Sequence, residues 1–419
     1  MPRYLFNDYE SSPDASTWTK VLMRAYAAKI RPTCLCKHSG DGARMYIAKV
    51  RDAHFIKRMP LTGAFHAPHC EHYEPPPELS GLGQVSGSAI REESDTNITN
   101  LSLDFALTKG RARPVGAGDD VKTESVRTDG TKLTMRATFH YLYDQAALTR
   151  WSPKMQGRRS WSVVRRELLK ATADKIAKGS PLSELLFIPE TFSVDEVGAI
   201  GNRRVASLAR LSGSSSNRML IVAPIRLVEQ TRFGYKLTLK HLPDMPLMMN
   251  DDLHKRLMKV FADELALWGQ IESTHLLLVG TISLSPQGFH VLESACLVNV
   301  NECWIPFDSL YEYLLLDSLH REDRRFTKGL RYNLPSDKPL ASVVLQDTGE
   351  VSTALYVVPG DADDDYEPKA KELTDLSKMH SWFWHSTLAM PALPIRQLGE
   401  GESPPPRPVQ HPSALGQPH

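Results

Sequence analysis

Apolar and polar positions follow a helical period in three long stretches of the chain. Apolar residues recur three or four positions apart in residues 17–30, 160–178 and 251–268, which predicts a helix in each. Asp251 and Asp252 suit the positive amino-terminal end of the third helix. The sequence therefore predicts one helix near the start and two in the middle.

Shorter runs rich in β-branched and aromatic residues predict strands between these helices. Residues 43–50 and 54–59 are separated by a three-residue turn, which predicts a hairpin. Further strands are predicted within residues 96–113, 219–228, 235–242, 275–284 and 288–300. Because helices and strands are interspersed along the chain, we expect an α+β protein.

Proline and glycine divide the chain into segments. Residues 75–88 contain three consecutive prolines followed by SGLGQVSGS, which is typical of a linker. The end is again rich in proline and glycine and is expected to be disordered. The resulting parts are an amino-terminal zinc-stapled hairpin module (1–79), a mixed α/β central domain (89–306), a small carboxy-terminal α/β unit (307–390) and a tail (391–419).

Composition and charge fit a globular protein without a membrane segment. The chain has 419 residues, of which 41% are hydrophobic and 24% charged, as expected for two or three folding units. A net charge of +1 gives no overall attraction to polyanions, so only local patches could bind them. The longest apolar run is far shorter than a membrane span, and the polar start lacks the features of a signal peptide. We therefore expect a cytoplasmic protein with no membrane contact.

Three of the five cysteines cluster near the start of the chain, together with histidines. Cys34 and Cys36 precede the predicted hairpin, while His66 and Cys70 follow it. Thiolates and imidazoles are the usual ligands of structural zinc, and four protein ligands leave no open position for a substrate. A module this short also needs a staple, because its own apolar core is small. The sequence predicts a structural Zn²⁺ held by these four residues.

Other histidines compete with His66 for the imidazole position. His69 is its nearest rival, and His38 and His72 are more distant ones. The four-residue spacing of His66 and Cys70 would place both side chains on one face of a helical turn. Buried thiols with a hydrogen-bonded histidine are the alternative to a metal site. Two cysteines outside the cluster are expected as core residues, Cys296 and Cys303.

Several motifs together resemble a known bacterial family. They are LDFALTKGR (103–111), HYLYDQAALTRW (140–151), GRRSW (157–161), FIPE-x-F (187–192) and RRFTKGLRYN (324–333), besides the cysteine motifs near the start. The chain resembles the family known as domain of unknown function 1173, carried on plasmids and integrative conjugative elements. The resemblance implies a mobile-element context, with DNA and with conjugation or element-maintenance proteins as partners. It implies no particular activity.

The carboxy-terminal unit is similar in predicted element order to a degenerate PD-(D/E)xK nuclease core. The order is helix (308–320), strand (325–332), strand (340–345), strand (354–358), helix (368–379) and strand (382–385). Such nucleases bind Mg²⁺ with carboxylates on adjacent strands. Here Ala341 or Ser342 stands at the first carboxylate position, and the next strand contains no acid-x-Lys triplet. We therefore expect a unit without catalysis, unless carboxylates from elsewhere in the chain supply a metal site.

Two groups of basic residues are candidates for contact with phosphate. The first is Arg158, Arg159, Arg165 and Arg166, and the second is Arg324, Arg325, Lys328 and Arg331. Trp151 and Trp161 interleave the first group, and aromatic rings can stack on exposed bases. The alternative is a solvated helix face beside core tryptophans. The sequence thus predicts a non-catalytic, zinc-containing accessory protein associated with nucleic acid, with a metal-dependent nuclease and a protein–protein scaffold as alternatives.

Overall fold

The computed structural model describes residues 2–37, 42–50, 53–59, 62–93, 98–108, 131–214, 216–232 and 234–397. These residues form a mixed α+β protein with four sheets and ten α-helices, which confirms the predicted class. Of the predicted tail (391–419), residues 391–397 are described and are held by hydrogen bonds, since Arg324 donates to the Pro394 carbonyl at 2.8 Å and the Gln397 N–H donates to the Asp347 carbonyl at 2.8 Å. The expected disorder therefore does not begin at 391. Residues 398–419 and His38 lie outside the described residues.

The amino-terminal unit is an antiparallel five-stranded sheet covered by one helix. Its elements are β1 (Tyr4–Phe6), β2 (Tyr9–Ser11), α1 (Trp18–Ala27), β3 (Thr33–Cys34), β4 (Ala43–Val50) and β5 (Ala53–Arg58). The strand order is β2-β1-β3-β4-β5. Leu22 and Ala25 of α1 pack with Met45 and Ile47 of β4 in a small core. The predicted helix and hairpin are confirmed, whereas β1 and β2 are too short to show an alternating pattern in the sequence.

The chain then forms a four-stranded sheet with surrounding helices. The elements are α2 (Leu82–Val85), β6 (Ile90–Glu93), β7 (Ile98–Leu101), α3 (Met135–Gln145), β8 (Arg150–Trp151), α4 (Trp161–Ala171), β9 (Lys175–Ala177), β10 (Ser180–Pro181), α5 (Leu182–Leu185), β11 (Leu186–Phe187) and α6 (Val197–Gly213). The sheet has the order β10-β9-β7-β6. The helix predicted over 160–178 ends at Ala171, because Asp174 takes a positive φ of 60° and the chain turns into β9.

The next five strands close into a barrel. The elements are β12 (Met219–Thr231), β13 (Gly234–Leu239), β14 (Leu242–Met249), α7 (Asp251–Val260), α8 (Ala262–Gln270), β15 (His275–Leu284) and β16 (His290–Val300). The first half of β12 pairs with β15 and the second half with β13, while β14 runs parallel to β16. The helix predicted over 251–268 is two helices, because Phe261 leaves the helical conformation at φ −112°. Strand β14 was not predicted, since Pro243 and Pro246 obscure its pattern.

The carboxy-terminal unit is a five-stranded sheet with two helices. Its remaining elements are β17 (Pro306–Phe307), α9 (Leu310–Arg321), β18 (Phe326–Lys328), β19 (Val343–Leu345), β20 (Thr353–Val358), α10 (Tyr366–Leu376) and β21 (His380–His385). Strand β17 pairs with β16, and the sheet has the order β21-β20-β19-β18-β8. The predicted succession of helices and strands is confirmed. However, the edge strand β8 comes from far earlier in the chain.

Residues 75–88 are packed rather than extended as a linker. Leu79 is 2% exposed and contacts Ala341 and Tyr356 in the core of the carboxy-terminal unit. The Gly81 N–H donates to the carbonyl of Leu330 at 3.0 Å. A Cβ atom on Gly81 would lie 1.9 Å from the carbonyl oxygen of Arg331. The linker expectation is wrong, because at least part of this glycine-rich composition serves a close backbone approach and not flexibility.

Candidate metal centre

Cys34, Cys36, His66 and Cys70 come together in the amino-terminal unit. Their ligand atoms all lie within 4.8 Å of one another. Cys34 Sγ lies 3.8 Å from Cys70 Sγ, and His66 Nδ1 lies 3.5 Å from Cys36 Sγ and 3.6 Å from Cys70 Sγ. A tetrahedral Zn²⁺ with bonds of about 2.3 Å to sulfur and about 2.0–2.1 Å to nitrogen has S···S edges of about 3.8 Å and S···N edges of about 3.5 Å. The three measured edges match such a tetrahedron.

Two turns and a strand position the four side chains. Cys34 ends β3, and Cys36 follows two residues later. His66 is extended (φ −79°, ψ 159°) at the end of a single 3-10 turn, and the Cys70 N–H then donates to the Ala67 carbonyl at 2.8 Å. The helical turn expected between His66 and Cys70 is therefore wrong. A tight turn brings the two side chains together instead.

Main-chain donors point at two of the sulfurs. The Ala67 N–H donates to Cys36 Sγ at 3.3 Å, and the His72 N–H donates to Cys70 Sγ at 3.4 Å. Among these neighbouring thiols, hydrogen bonds from Cys34 and Cys70 hold the pKa of Cys36 well below its usual range, and hydrogen bonds to Cys36 and Cys70 raise the pKa of Cys34. Donors of this kind stabilise a thiolate, which is the form that binds metal.

The structure selects His66 as the imidazole of the cluster. His66 is 1% exposed, and its Nε2 atom has no hydrogen-bond partner among the described residues. His69 is exposed to solvent and lies outside the cluster. His72 Nε2 lies 2.6 Å from the Tyr4 hydroxyl, and burial lowers the pKa of His72 to about 3. His72 is therefore a neutral neighbour of the cluster.

An ion cluster fastens the amino-terminal unit to the rest of the protein. Glu74 follows Cys70 by four residues and contacts both Arg58 of β5 and Arg150 of β8. Arg150 also donates to the main-chain carbonyl of Glu71. A strand of the carboxy-terminal sheet thus contacts the chain directly after the last cysteine of this cluster.

The first group of predicted phosphate contacts is partly occupied by the protein itself. Arg159 and Arg165 donate to main-chain carbonyls at 2.8 Å and 3.0 Å. Arg158 is exposed, and Arg166 is exposed but pairs with a neighbouring carboxylate at 2.7 Å. Contact between nucleic acid and this group stays a prediction, which rests on Arg158 and Arg166.

The second group lies deeper in the structure. Arg324 and Lys328 are 1% and 2% exposed. Each forms a buried ion pair at 2.9 Å, with Asp347 and Glu312 respectively. A phosphate group cannot reach either cation while the protein is folded. The other two members of the group, Arg325 and Arg331, are partly buried.

Carboxylates do not gather into a second metal site in the described part of the chain. The Cys/His cluster is the one group of three or more His, Cys, Asp or Glu side chains positioned for an ion there. Asp347 is buried in its pair with Arg324, and Ser342 is a buried strand neighbour. The similarity of the carboxy-terminal unit to a nuclease core therefore stays a prediction. Cys296 and Cys303 are each 6% exposed, which confirms their prediction as core residues.

Two of the motifs that carry the family resemblance meet inside the protein. His140 Nδ1 accepts the Tyr332 N–H at 2.9 Å, and the Tyr332 hydroxyl donates to Asp144. Thr134, just before the first motif, donates through Oγ1 to Asn333 Oδ1 at 3.0 Å. The motifs therefore form a structural joint between α3 and the chain after β18.

Titration at this joint is strongly perturbed. Burial lowers the pKa of His140 to about 3. Burial and the charge of Glu74 raise the pKa of Asp144 to about 7. Sequence patterns did not predict the joint, because its hydrogen bonds link residues that are 188 to 199 positions apart in the chain. The presence of both family motifs in one chain was the sequence feature that could have indicated this contact.

Comparison with known proteins identifies the family of the chain. The family model described as "Protein of unknown function (DUF1173)" matches residues 5–387, which include both the Cys/His cluster and the joint. No curated protein and no solved structure matches the chain. Among the described residues, every helix is too short or too polar to span a membrane.

Proposed function

This chain belongs to the DUF1173 family, and we propose that it is a non-catalytic accessory protein that contains one structural Zn²⁺ and associates with nucleic acid. The tetrahedral spacing of Cys34, Cys36, His66 and Cys70 carries this proposal. Three thiolates and an imidazole in a tetrahedron favour zinc over Mg²⁺ or Ca²⁺, which prefer oxygen ligands. Four protein ligands leave no position for a substrate, so the metal would be structural.

The amino-terminal unit gains stability from such an ion. Its core is small, with Leu22, Ala25, Met45 and Ile47 among its few buried apolar residues. Units of this size usually need a metal or disulfides, because little apolar surface is buried. The zinc would join β3 to the segment after the hairpin and so hold the sheet together.

Cations on the same unit support an association with nucleic acid. Residues 15–37 carry five basic residues and no acidic one. Lys20 and Arg24 lie one turn apart on the exposed side of α1, and neither has an ion-pair partner among the described residues. Like charges at this spacing destabilise a helix by about 0.2–0.5 kcal/mol. A phosphate backbone would compensate them.

The family resemblance implies the setting of this function. DNA of a plasmid or an integrative conjugative element is the proposed nucleic acid, and conjugation or element-maintenance proteins are the proposed partners. Nuclease activity is the alternative that a cleavage assay distinguishes.

Metal analysis tests the zinc. The purified full chain is expected to contain one equivalent of Zn²⁺, and Cys36→Ser is expected to lose most of it. Cys296→Ser is the matched control, because Cys296 is another cysteine outside any disulfide and lies outside the cluster. Zinc well below one equivalent in the wild type, or equal zinc in Cys36→Ser, would contradict the proposal.

A salt titration of DNA binding tests the association. The slope of log K against log[salt] is expected to fall in magnitude by about 2 in the Lys20→Ala/Arg24→Ala variant, because each phosphate contact contributes about 0.9. Lys255→Ala/Lys259→Ala removes a similarly spaced, exposed pair from α7 and is expected to leave the slope unchanged. Absence of binding at low salt would rule out the association, and Mg²⁺-dependent cleavage would rule out a non-catalytic role.

A further inference from the structure

The barrel has a connectivity that matters for ligand binding. Its strands follow the order β12-β13-β14-β16-β15 and return to β12, with α7 and α8 inserted between β14 and β15. This is the connectivity of oligonucleotide/oligosaccharide-binding barrels, which bind ligands on their second and third strands and adjacent loops. Since a fold alone does not establish a function, the residues on that surface must decide.

We propose that single-stranded nucleic acid binds the outer surface formed by the second half of β12, β13 and β14, together with the β15–β16 loop. This surface is called the barrel face below. The inference rests on the proposed association with nucleic acid and names the form of the ligand and its place.

The barrel face is less covered by helices than the rest of the barrel, and among the described residues only α7 packs against one of its strands, β13. Helices α3 and α8 pack against β15 and β16, and α7 contacts β13 and β16. Along β12, Met219–Ile225 is buried, whereas Arg226 and Leu227 are exposed, Leu227 by 46%. One strand is therefore buried in its first part and open to solvent where the barrel face begins.

An aromatic side chain is held at one end of the barrel face. Met248 of β14 pairs with Val291 of β16, which places the β15–β16 loop beside the end of β14. Phe289 in this loop is 59% exposed. Its N–H donates to Ser285 Oγ at 3.0 Å, and its carbonyl accepts the Ser285 N–H at 2.8 Å. The ring is thus presented on an ordered loop, where it can stack on a base.

Uncompensated cations lie toward the other end. A β-bulge between Ile225 and Leu227 places Arg226 outward. Lys240 is exposed nearby, where its N–H donates to the carbonyl of Pro224 at 2.8 Å. Within the described chain, neither Arg226 nor Lys240 has a carboxylate partner.

The carboxylates of the barrel face are already neutralised. Glu229 pairs with Lys236 at 3.0 Å. Asp244 accepts two hydrogen bonds from Arg204 of α6, at 2.7 Å and 2.6 Å. The face therefore presents net positive charge, which favours a polyanion over a neutral oligosaccharide.

The same features favour a single strand over other partners. Stacking on Phe289 needs an unpaired base, and duplex DNA keeps its bases stacked inside. A peptide strand would need an open sheet edge, and the β12–β15 pairing closes the barrel. An aromatic group at one end and cations at the other suit alternating bases and phosphates.

Fluorescence anisotropy on the zinc-loaded full chain tests the inference, with labelled oligothymidine, oligouridine and a duplex of equal length. Phe289→Ala/Arg226→Ala is expected to weaken single-strand binding about tenfold or more, because one stacking contact alone is worth about 1–3 kcal/mol. The matched control is Tyr311→Ala/Arg321→Ala, which removes an exposed aromatic ring and an exposed arginine of α9, outside the barrel face. The control is expected to bind single strands with less than a twofold change.

The outcomes separate this inference from the proposed function. If Phe289→Ala/Arg226→Ala binds single strands as tightly as the wild type, or if the wild type prefers the duplex, the barrel face is not the binding site. The proposed association with nucleic acid would still stand. No binding of any probe at low salt removes both. Binding to either single strand supports the inference, and the two probes distinguish DNA from RNA. If Phe289→Ala/Arg226→Ala contains less zinc than the wild type, or its circular dichroism spectrum shows a loss of folded structure, Lys240→Ala replaces it. That variant changes one exposed side chain of the barrel face and is compared with the wild type in the same binding assay.

Discussion

The Arg150 guanidinium lies 3.1 Å from the Glu74 carboxylate, which joins the edge of the carboxy-terminal sheet to the chain that follows Cys70. Arg58 of β5 contacts the same carboxylate. One acidic side chain therefore bridges two cations that are 16% and 18% exposed. The proposed metal unit is held against the body through this shared group.

Glu74→Gln is expected to destabilise the protein, because two guanidinium groups would face each other with no carboxylate between them. Removing one partner of a fully buried pair costs about 3–5 kcal/mol, and the partial exposure here reduces the expected loss to about 2 kcal/mol. Urea unfolding measures it. Glu196→Gln removes a 65% exposed partner of Arg203 and should change the free energy of unfolding by less than about 0.5 kcal/mol. Equal effects of the two substitutions would contradict the role of Glu74.

Chelation of the metal is expected to unfold the amino-terminal unit before the barrel. The proposed ion joins β3 to the turn that contains Cys70, whereas β15 and β16 lie in the largest core of the protein. Hydrogen exchange followed by mass spectrometry should therefore show faster exchange in β1, β3 and β4 after chelation. Peptides from β15 and β16 should keep their protection. Uniform loss of protection, or none, would argue against a local metal clasp.

Gly81→Ala is expected to destabilise the protein by about 2 kcal/mol or more, because the added methyl group meets the Arg331 carbonyl. Gly201→Ala is the matched control within α6, where a Cβ atom meets nothing within 4 Å. Alanine there should stabilise the helix by about 0.5–1 kcal/mol. Thermal unfolding of both variants measures the contrast. If Gly81→Ala is as stable as the wild type, the interpretation of this position as part of a flexible linker would be correct after all.

The joint between the two family motifs predicts opposite pH dependences. The folded pKa of His140 is about 3, below its usual 6.5, so its contribution to stability is present above pH 6.5 and is lost as pH falls toward 3. The folded pKa of Asp144 is about 7, above its usual 3.8. Its contribution is present below pH 3.8 and is lost as pH rises through 7.

Asp144→Asn isolates the second effect, because asparagine can still accept the Tyr332 hydroxyl and does not titrate. The free energy of unfolding of the variant minus that of the wild type should rise between about pH 4 and pH 7 and then level off. Denaturant titrations at several pH values measure this difference. A difference that does not depend on pH would mean that Asp144 ionises normally in the folded protein.

Arg324→Ala is expected to cost about 3–5 kcal/mol, because it removes the close partner of the buried Asp347 and leaves Arg396 at the longer distance of 3.9 Å. Arg158→Ala changes an exposed side chain and should alter the free energy of unfolding by less than about 0.5 kcal/mol. Weaker nucleic-acid binding by Arg324→Ala would then follow from its loss of stability. Full stability of that variant would contradict the buried ion pair.

The sequence was sufficient wherever a pattern is local. Helix α1, the hairpin β4–β5 and most strands of the barrel were predicted because apolar spacing within a few residues specifies which side is buried. Prediction failed where a local break decides the outcome. Phe261 divides one predicted helix, and Asp174 ends another early.

The candidate metal site was largely predictable, since three cysteines and a histidine in a short segment match the usual ligand set of structural zinc. The choice of His66 over His69 was not, because it depends on a turn that buries one imidazole and exposes the other. The exposure of the basic residues was likewise not predictable from the sequence. Sequence cannot tell Arg324, which is buried against Asp347, from Arg158, which is exposed.

By itself, then, the sequence determined the ligand types of a zinc site, the mixed class and most element positions, because these follow from residue chemistry and short-range periodicity. Only the tertiary structure decided which cations remain in solvent, how residues 75–88 pack, and that β12 closes a barrel by pairing with β15. Those outcomes depend on contacts between residues that are far apart in the chain. Such contacts leave no periodic trace in a single sequence.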